Sequence, residues 1–140
     1  MALLYHAYQG AYYEENVKPD AVMSLFYYTR ANADGGVTAT TFCWHSDSWQ
    51  SSFRALPSAA ADVVRSIENT NAHEGVKLFA CSPDSDNHIV LTTHGRWFSR
   101  MPTKVHDFMR KHGTELVSAT LGANDSYYLV GARGAATWSL

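Results

Sequence analysis

Two cysteines in 140 residues are too few for a disulfide framework. Cys43 and Cys81 both sit in apolar, strand-like runs (Thr41-Phe42-Cys43-Trp44 and Leu78-Phe79-Ala80-Cys81) and read as buried free thiols. Charge is scarce as well. Asp, Glu, Lys and Arg make up 17% of the chain, against about a quarter in an average globular domain. The formal net charge is −2, which gives no reason to expect a polyanion partner and excludes an acidic or basic tail. No run approaches 18 consecutive apolar residues, so no transmembrane helix is expected. Met1-Ala2-Leu3-Leu4-Tyr5-His6 lacks the basic start of a secretory leader, and Gln9-Gly10 soon interrupts it. The expectation is therefore a protein of a reducing compartment, the cytoplasm. Hydrophobic residues at 46% and aromatics at 13% exclude disorder and suffice for the core of a single domain spanning 1–140.

Proline is also rare, four residues in all, and two of them mark a recurring pattern. Leu56-Pro57-Ser58 and Met101-Pro102-Thr103 open similar segments 45 residues apart. Proline fixes φ at a helix start, and the hydroxyl that follows is expected to cap an orphan amide. Ala60, Val63, Val64 and Ile67 then form a helical stripe, as do Met101, Val105, Phe108 and Met109, with Asp107 and Lys111 expected to pair on the outer face. After each helix the hydrophobic period switches from 3.6 to 2. Val76–Ala80, a turn at Pro83–Asn87 and Ile89–Leu91 match Leu116–Ala119, a turn at Gly122–Asp125 and Tyr127–Val130. His94-Gly95 matches Arg133-Gly134, and each copy then reaches a tryptophan, Trp97 or Trp138.

A degenerate earlier copy is expected over approximately 17–55, ahead of copies at 56–100 and 101–140. Val22–Thr29 and Val37–Trp44 read as strands around the loop Asn32–Gly36. Tyr12–Val17 is expected to supply one helical turn before Lys18-Pro19. The fold class is thus α+β: tandem helix–β-meander repeats of about 40–45 residues, forming a mainly antiparallel sheet with two clear helices. Ala2–Tyr8 is expected either to pair back onto the last copy or to leave sheet edges for a homodimer to cover.

The candidate sites follow from chemistry-bearing residues. Cys43 and His45 lie two apart, hence on one face of a strand, but that spacing is about 6–7 Å, too long for direct proton transfer. With His94 they are weak catalytic candidates only. Neither the seven histidines nor the cysteines form a C-x2-C or H-E-x-x-H pair, so no metal site is expected. No cofactor signature is present, and no cofactor is expected. Asp84-Ser85-Asp86-Asn87 opens like a calcium loop, but its sixth and twelfth positions are Ile89 and Gly95, where glycine and glutamate are needed. Gly131–Gly134 reads as a strand turn rather than a phosphate clamp.

Paired tyrosines (Tyr12-Tyr13, Tyr27-Tyr28, Tyr127-Tyr128) place one ring on each face of a strand, and outward aromatics suit recognition surfaces. The leading expectation is a small binding or interaction module that recognises a protein or carbohydrate through its hairpin loops. Its ligand-binding candidates are Tyr28, Trp49, Asp84, Asp86, Arg96, Trp97, Asn124, Tyr127 and Arg133. One rival is a small cofactor-free hydrolase or isomerase drawing on Cys43, His45, His94, Arg96 and Arg133. The other is an anion or nucleic-acid binder using the basic stretch from His94 to His112, disfavoured by the net charge.

Overall fold

A computed structural model describes residues 2–8, 11–17, 22–31, 33–70 and 73–140. The chain opens with a hairpin of β1 (Ala2–Tyr8) and β2 (Ala11–Val17), paired from Ala2↔Val17 to Tyr8↔Ala11. The Tyr12–Val17 segment is therefore a strand, not a helical turn. Its β-formers outweigh local helix propensity once β1 supplies a pairing edge. That hairpin also corrects the expectation that Ala2–Tyr8 pairs with the last copy.

Three three-stranded antiparallel meanders follow: β3 (Val22–Ala31), β4 (Val37–His45) and β5 (Gln50–Arg54); β6 (Val76–Cys81), β7 (His88–Thr92) and β8 (Trp97–Arg100); β9 (Leu116–Leu121), β10 (Tyr127–Gly131) and β11 (Ala136–Ser139). Helices α1 (Ser58–Glu68) and α2 (Thr103–His112) join them. This is an α+β arrangement whose antiparallel pairing is distributed over separate meanders. Asn32, at the start of the first hairpin loop, lies outside the described residues; beyond it Gly36 donates its N–H to Asp34 Oδ1 at 2.9 Å, an Asx turn. None of the described helices is long and apolar enough to cross a membrane.

Pro57 and Pro102 occupy the N-cap positions with extended ψ of 143° and 153°, and neither helix has a side-chain cap. Ser58 and Thr103 already lie within the helical turn, past the extended position from which a hydroxyl caps. Between the first two meanders, Ala60, Val64 and Ile67 of α1 pack on Phe42, Trp44, Val76, Phe79 and Val90. Between the second and third, Val105 and Met109 of α2 pack with Met101 on Ile89, Leu91, Leu116 and Leu129. Each helix is thus the filling between consecutive sheets. On the outer face of α2, Asp107 pairs with Arg110 at 2.8 Å rather than with Lys111.

The meanders share two irregularities. Each first strand carries a bulge one residue in, at Met23, Lys77 and Val117, where cross-strand pairing skips a residue. Each turn into the third strand has a left-handed residue at the same place: Trp49 (φ 54°), Gly95 (φ 79°) and Gly134 (φ 78°). This common frame corrects the tryptophan match. Trp97 pairs with Leu91 and is matched by Ala136, opposite Val130, whereas Trp138 pairs with Tyr128 and is matched by Ser99, opposite Ile89.

Candidate functional site

A cleft of about 420 Å³ opens where the β4–β5 turn, the end of α1 and the approach to β6 converge. Ser48, Trp49, Gln50, Glu68, Thr70, His73 and Glu74 line it. The volume lies within the ordinary small-ligand range of roughly 300–1,000 Å³.

Its aromatic wall is held in an uncommon backbone. Trp49 and His73 both have positive φ, 54° and 50°, and their rings meet edge to face with centroids 5.5 Å apart. A left-handed conformation costs a non-glycine residue about 1–2 kcal/mol. At the position matching Trp49 the other two turns have glycine, although the third also holds Arg133 at φ 59° beside it. The first turn thus retains a large side chain where the matching position needs none.

The two carboxylates of the cleft are anchored from behind. Glu68, on the last turn of α1, accepts a 2.6 Å bond from the Ser51 N–H and another from the Ser51 hydroxyl. These donors offset the unfavourable placement of an anion at a helix C-terminus. Glu74 forms the floor, with its side chain only 2% exposed. It accepts from Thr92 Oγ1 at 2.7 Å and from Arg96 Nε at 2.9 Å, and His94 Nδ1 stands 3.8 Å away. The Arg96 hydrogen bond holds the Glu74 carboxyl below its usual range against the opposing effect of burial, and the Thr92 bond and the Arg96 charge add to the lowering. The same pairing raises the pKa of Arg96, whose guanidinium lies 5.2 Å from the Phe98 ring centroid. Reciprocal bonds between Gly75 and Thr93, at 2.9 and 3.0 Å, fix the strand that carries Glu74.

The candidates read from sequence are dispersed. Trp49 is at the cleft, and Arg96 and His94 act behind it through Glu74. Cys43 is fully buried in β4, and His45 bonds Ser52 Oγ at 2.8 Å through Nε2. Arg133 is exposed in the β10–β11 turn, on a different meander, so these residues do not form one Cys/His/Arg pocket. Tyr28 is half-buried in β3 opposite Thr40.

The loop residues Asp84 and Asn124 face each other rather than solvent ligands. The Asn124 N–H donates to Asp84 Oδ2 at 3.0 Å, and Asn87 Nδ2 to Asp125 Oδ1 at 2.6 Å, tying the second meander to the third. The Asn124 bond, followed by that of Ser82, lowers the Asp84 pKa. Asp86 pairs with Arg100 at 3.3 Å. Trp97 is half-buried against Gly113, where an added Cβ would stand 2.8 Å from its ring. Tyr127 is only 4% exposed and belongs to the core; Tyr128 is the outward ring of that pair. Alternation places one ring on each side, and the position of α2 decides which is buried.

Sequence reasoning missed Glu68, His73 and Glu74. An acid immediately ahead of the buried run that starts at Gly75-Val76 was the available signal, since a carboxylate entering a core needs a partner. No group of three or more His, Cys, Asp or Glu is placed to hold a metal among the described residues. Comparisons with family models, with curated proteins and with solved structures found no match.

Proposed function

We propose that this protein is a small binding module that holds a polyhydroxylated ligand, a carbohydrate, in the Trp49 cleft. The observation that carries this reading is the Trp49 ring, kept in a left-handed turn where the corresponding turns have glycine. Observed backbone strain is a pointer to function, because selection must maintain it against a free alternative.

The chemistry around the ring supports the class of ligand. A sugar ring presents an apolar C–H face that stacks on an indole, and hydroxyls that donate to carboxylates and amides. A carboxylate has about four acceptor positions. Ser51 engages only Oε1 of Glu68, which leaves Oε2 for a ligand hydroxyl. Arg96 and Thr92 occupy both oxygens of the buried Glu74, which acts as a fixed negative floor. Gln50 adds an amide at the exposed rim. Two carboxylates beside the ring disfavour phosphate or nucleic acid by like-charge repulsion.

The test is a glycan array probed with the labelled chain, followed by calorimetric titration of the best glycan. Saturable binding that Trp49→Gly abolishes, with the variant still folded, is the expected result. An array with no saturable binder, or a glycan bound equally by the variant, would overturn the reading.

A further inference from the structure

The register that relates the meanders identifies a second surface, independent of the cleft. In the second meander, Ala80–Ile89–Ser99 and Leu78–Leu91–Trp97 are cross-strand rows on one face. Ile89, Leu91 and Ala80 lie in the core that α2 fills, with Leu78 and Trp97 packed against it. The matching rows of the third meander are Thr120–Tyr128–Trp138 and Ser118–Val130–Ala136. No described element seats on them. Tyr128 is 46% and Trp138 55% exposed, and their rings stack with centroids 6.0 Å apart at 25°. We propose that this face is the contact surface of a symmetric dimer, each copy covering the Tyr128–Trp138 pair of the other.

Two features favour a second copy as the occupant. None of the six residues in the rows carries a charge at neutral pH, where an ordinary tyrosine phenol is protonated, so within the rows a two-fold contact sets no like charges against each other. In an isologous contact every group meets its own kind, which makes neutrality a form of self-complementarity. Composition fits as well: serine and threonine replace the leucine and alanine of the buried counterpart, tyrosine replaces isoleucine, and the tryptophan moves from the Trp97 position to the exposed Trp138 position. Tyrosine and tryptophan are favoured at interfaces. The two half-exposed rings offer about 200 Å² per chain between them, so the rings of a pair of chains bury about 400 Å², with the smaller side chains of the rows adding to it. That is the small, transient end of specific interfaces, and the association is accordingly weak and concentration-dependent.

Sedimentation velocity on the full chain, from low micromolar to the highest soluble concentration, tests this. The expected result is a monomer that shifts towards a dimer, and stops there, as concentration rises. Trp138→Ser, which restores the residue found at the matching position of the second meander, weakens association at least tenfold. Thr120→Lys, an exposed change that leaves both rings intact, does the same by placing two cations across the axis. A chain that stays monomeric throughout, one that grows beyond a dimer, or a dimer that neither variant weakens would overturn the proposal.

Discussion

Replacing Trp49 by glycine and, separately, by alanine divides its role into a side-chain part and a backbone part. Both variants lose the ring. Half burying an aromatic that covers about 200 Å² contributes about 2 kcal/mol, so both fall below the native chain in stability. They differ in backbone alone. Alanine at φ 54° retains a left-handed cost of about 1–2 kcal/mol, while glycine avoids it and loses about 0.5–1 kcal/mol through its greater freedom when unfolded. Trp49→Gly is thus expected to exceed Trp49→Ala by about 0.5–1 kcal/mol, about 2–4 °C in melting temperature for a chain of this size. Thermal and urea unfolding of the three proteins would measure this, with ligand titration alongside. Under the proposed carbohydrate reading, neither variant is expected to bind the ligand. An alanine variant as stable as the glycine one would refute the strained turn, and a glycine variant with native affinity would refute the role of the ring.

Other outcomes follow from the same structure. Arg96→Ala leaves the buried Glu74 carboxylate with Thr92 as its remaining close donor; a loss of about 2 kcal/mol in urea unfolding is expected, less than for a fully buried pair because the guanidinium is half exposed and screened. Glu74 has a folded-state pKa below its unfolded value, so its contribution is complete above the unfolded carboxyl pKa, about 4.3, and is lost as pH falls through the folded one; Glu74→Gln should remove that part of the acid transition. His88 is buried, and desolvation foremost lowers its pKa. Its folded pKa lies below its unfolded one, so stability should decline as pH falls from the unfolded value of about 6.5 through the folded one, and His88→Gln should flatten that part of the profile. Gly75→Ala would bring a Cβ to 2.5 Å from Trp44 Nε1, a fully buried ring; a loss of about 2–3 kcal/mol is expected from thermal unfolding.

The elements that sequence made legible are those with a local cause. Pro57 and Pro102 set the helix starts, period switching set the strands of the second and third meanders, and Gly95 and Gly134 set their turns. The helical turn expected ahead of the first meander is not found among the described residues: Tyr12–Val17 pairs with β1, a choice made by the preceding strand rather than by local propensity. Matching Trp97 to Trp138 failed because spacing after the turn was taken as equivalence, whereas pairing with β7 and β10 shows them two residues apart in the frame. Trp49 was singled out as an aromatic, but its left-handed backbone and its contact with His73 arise only when the α1–β6 connection folds back against the turn. Glu74 was missed for the same reason: its partners Thr92, His94 and Arg96 come from the next hairpin, some 20 residues on.

Indole Nε1–H resonances in a two-dimensional NMR titration give the most direct test of the carbohydrate reading. The four tryptophans report on four places: Trp49 in the cleft, Trp44 in the core, Trp97 against Gly113, and Trp138 on the open face. Titration with the best array glycan is expected to move the Trp49 resonance progressively to saturation and to leave the other three in place. A saturable shift at Trp138 with Trp49 unmoved, or no shift at any indole, would contradict it.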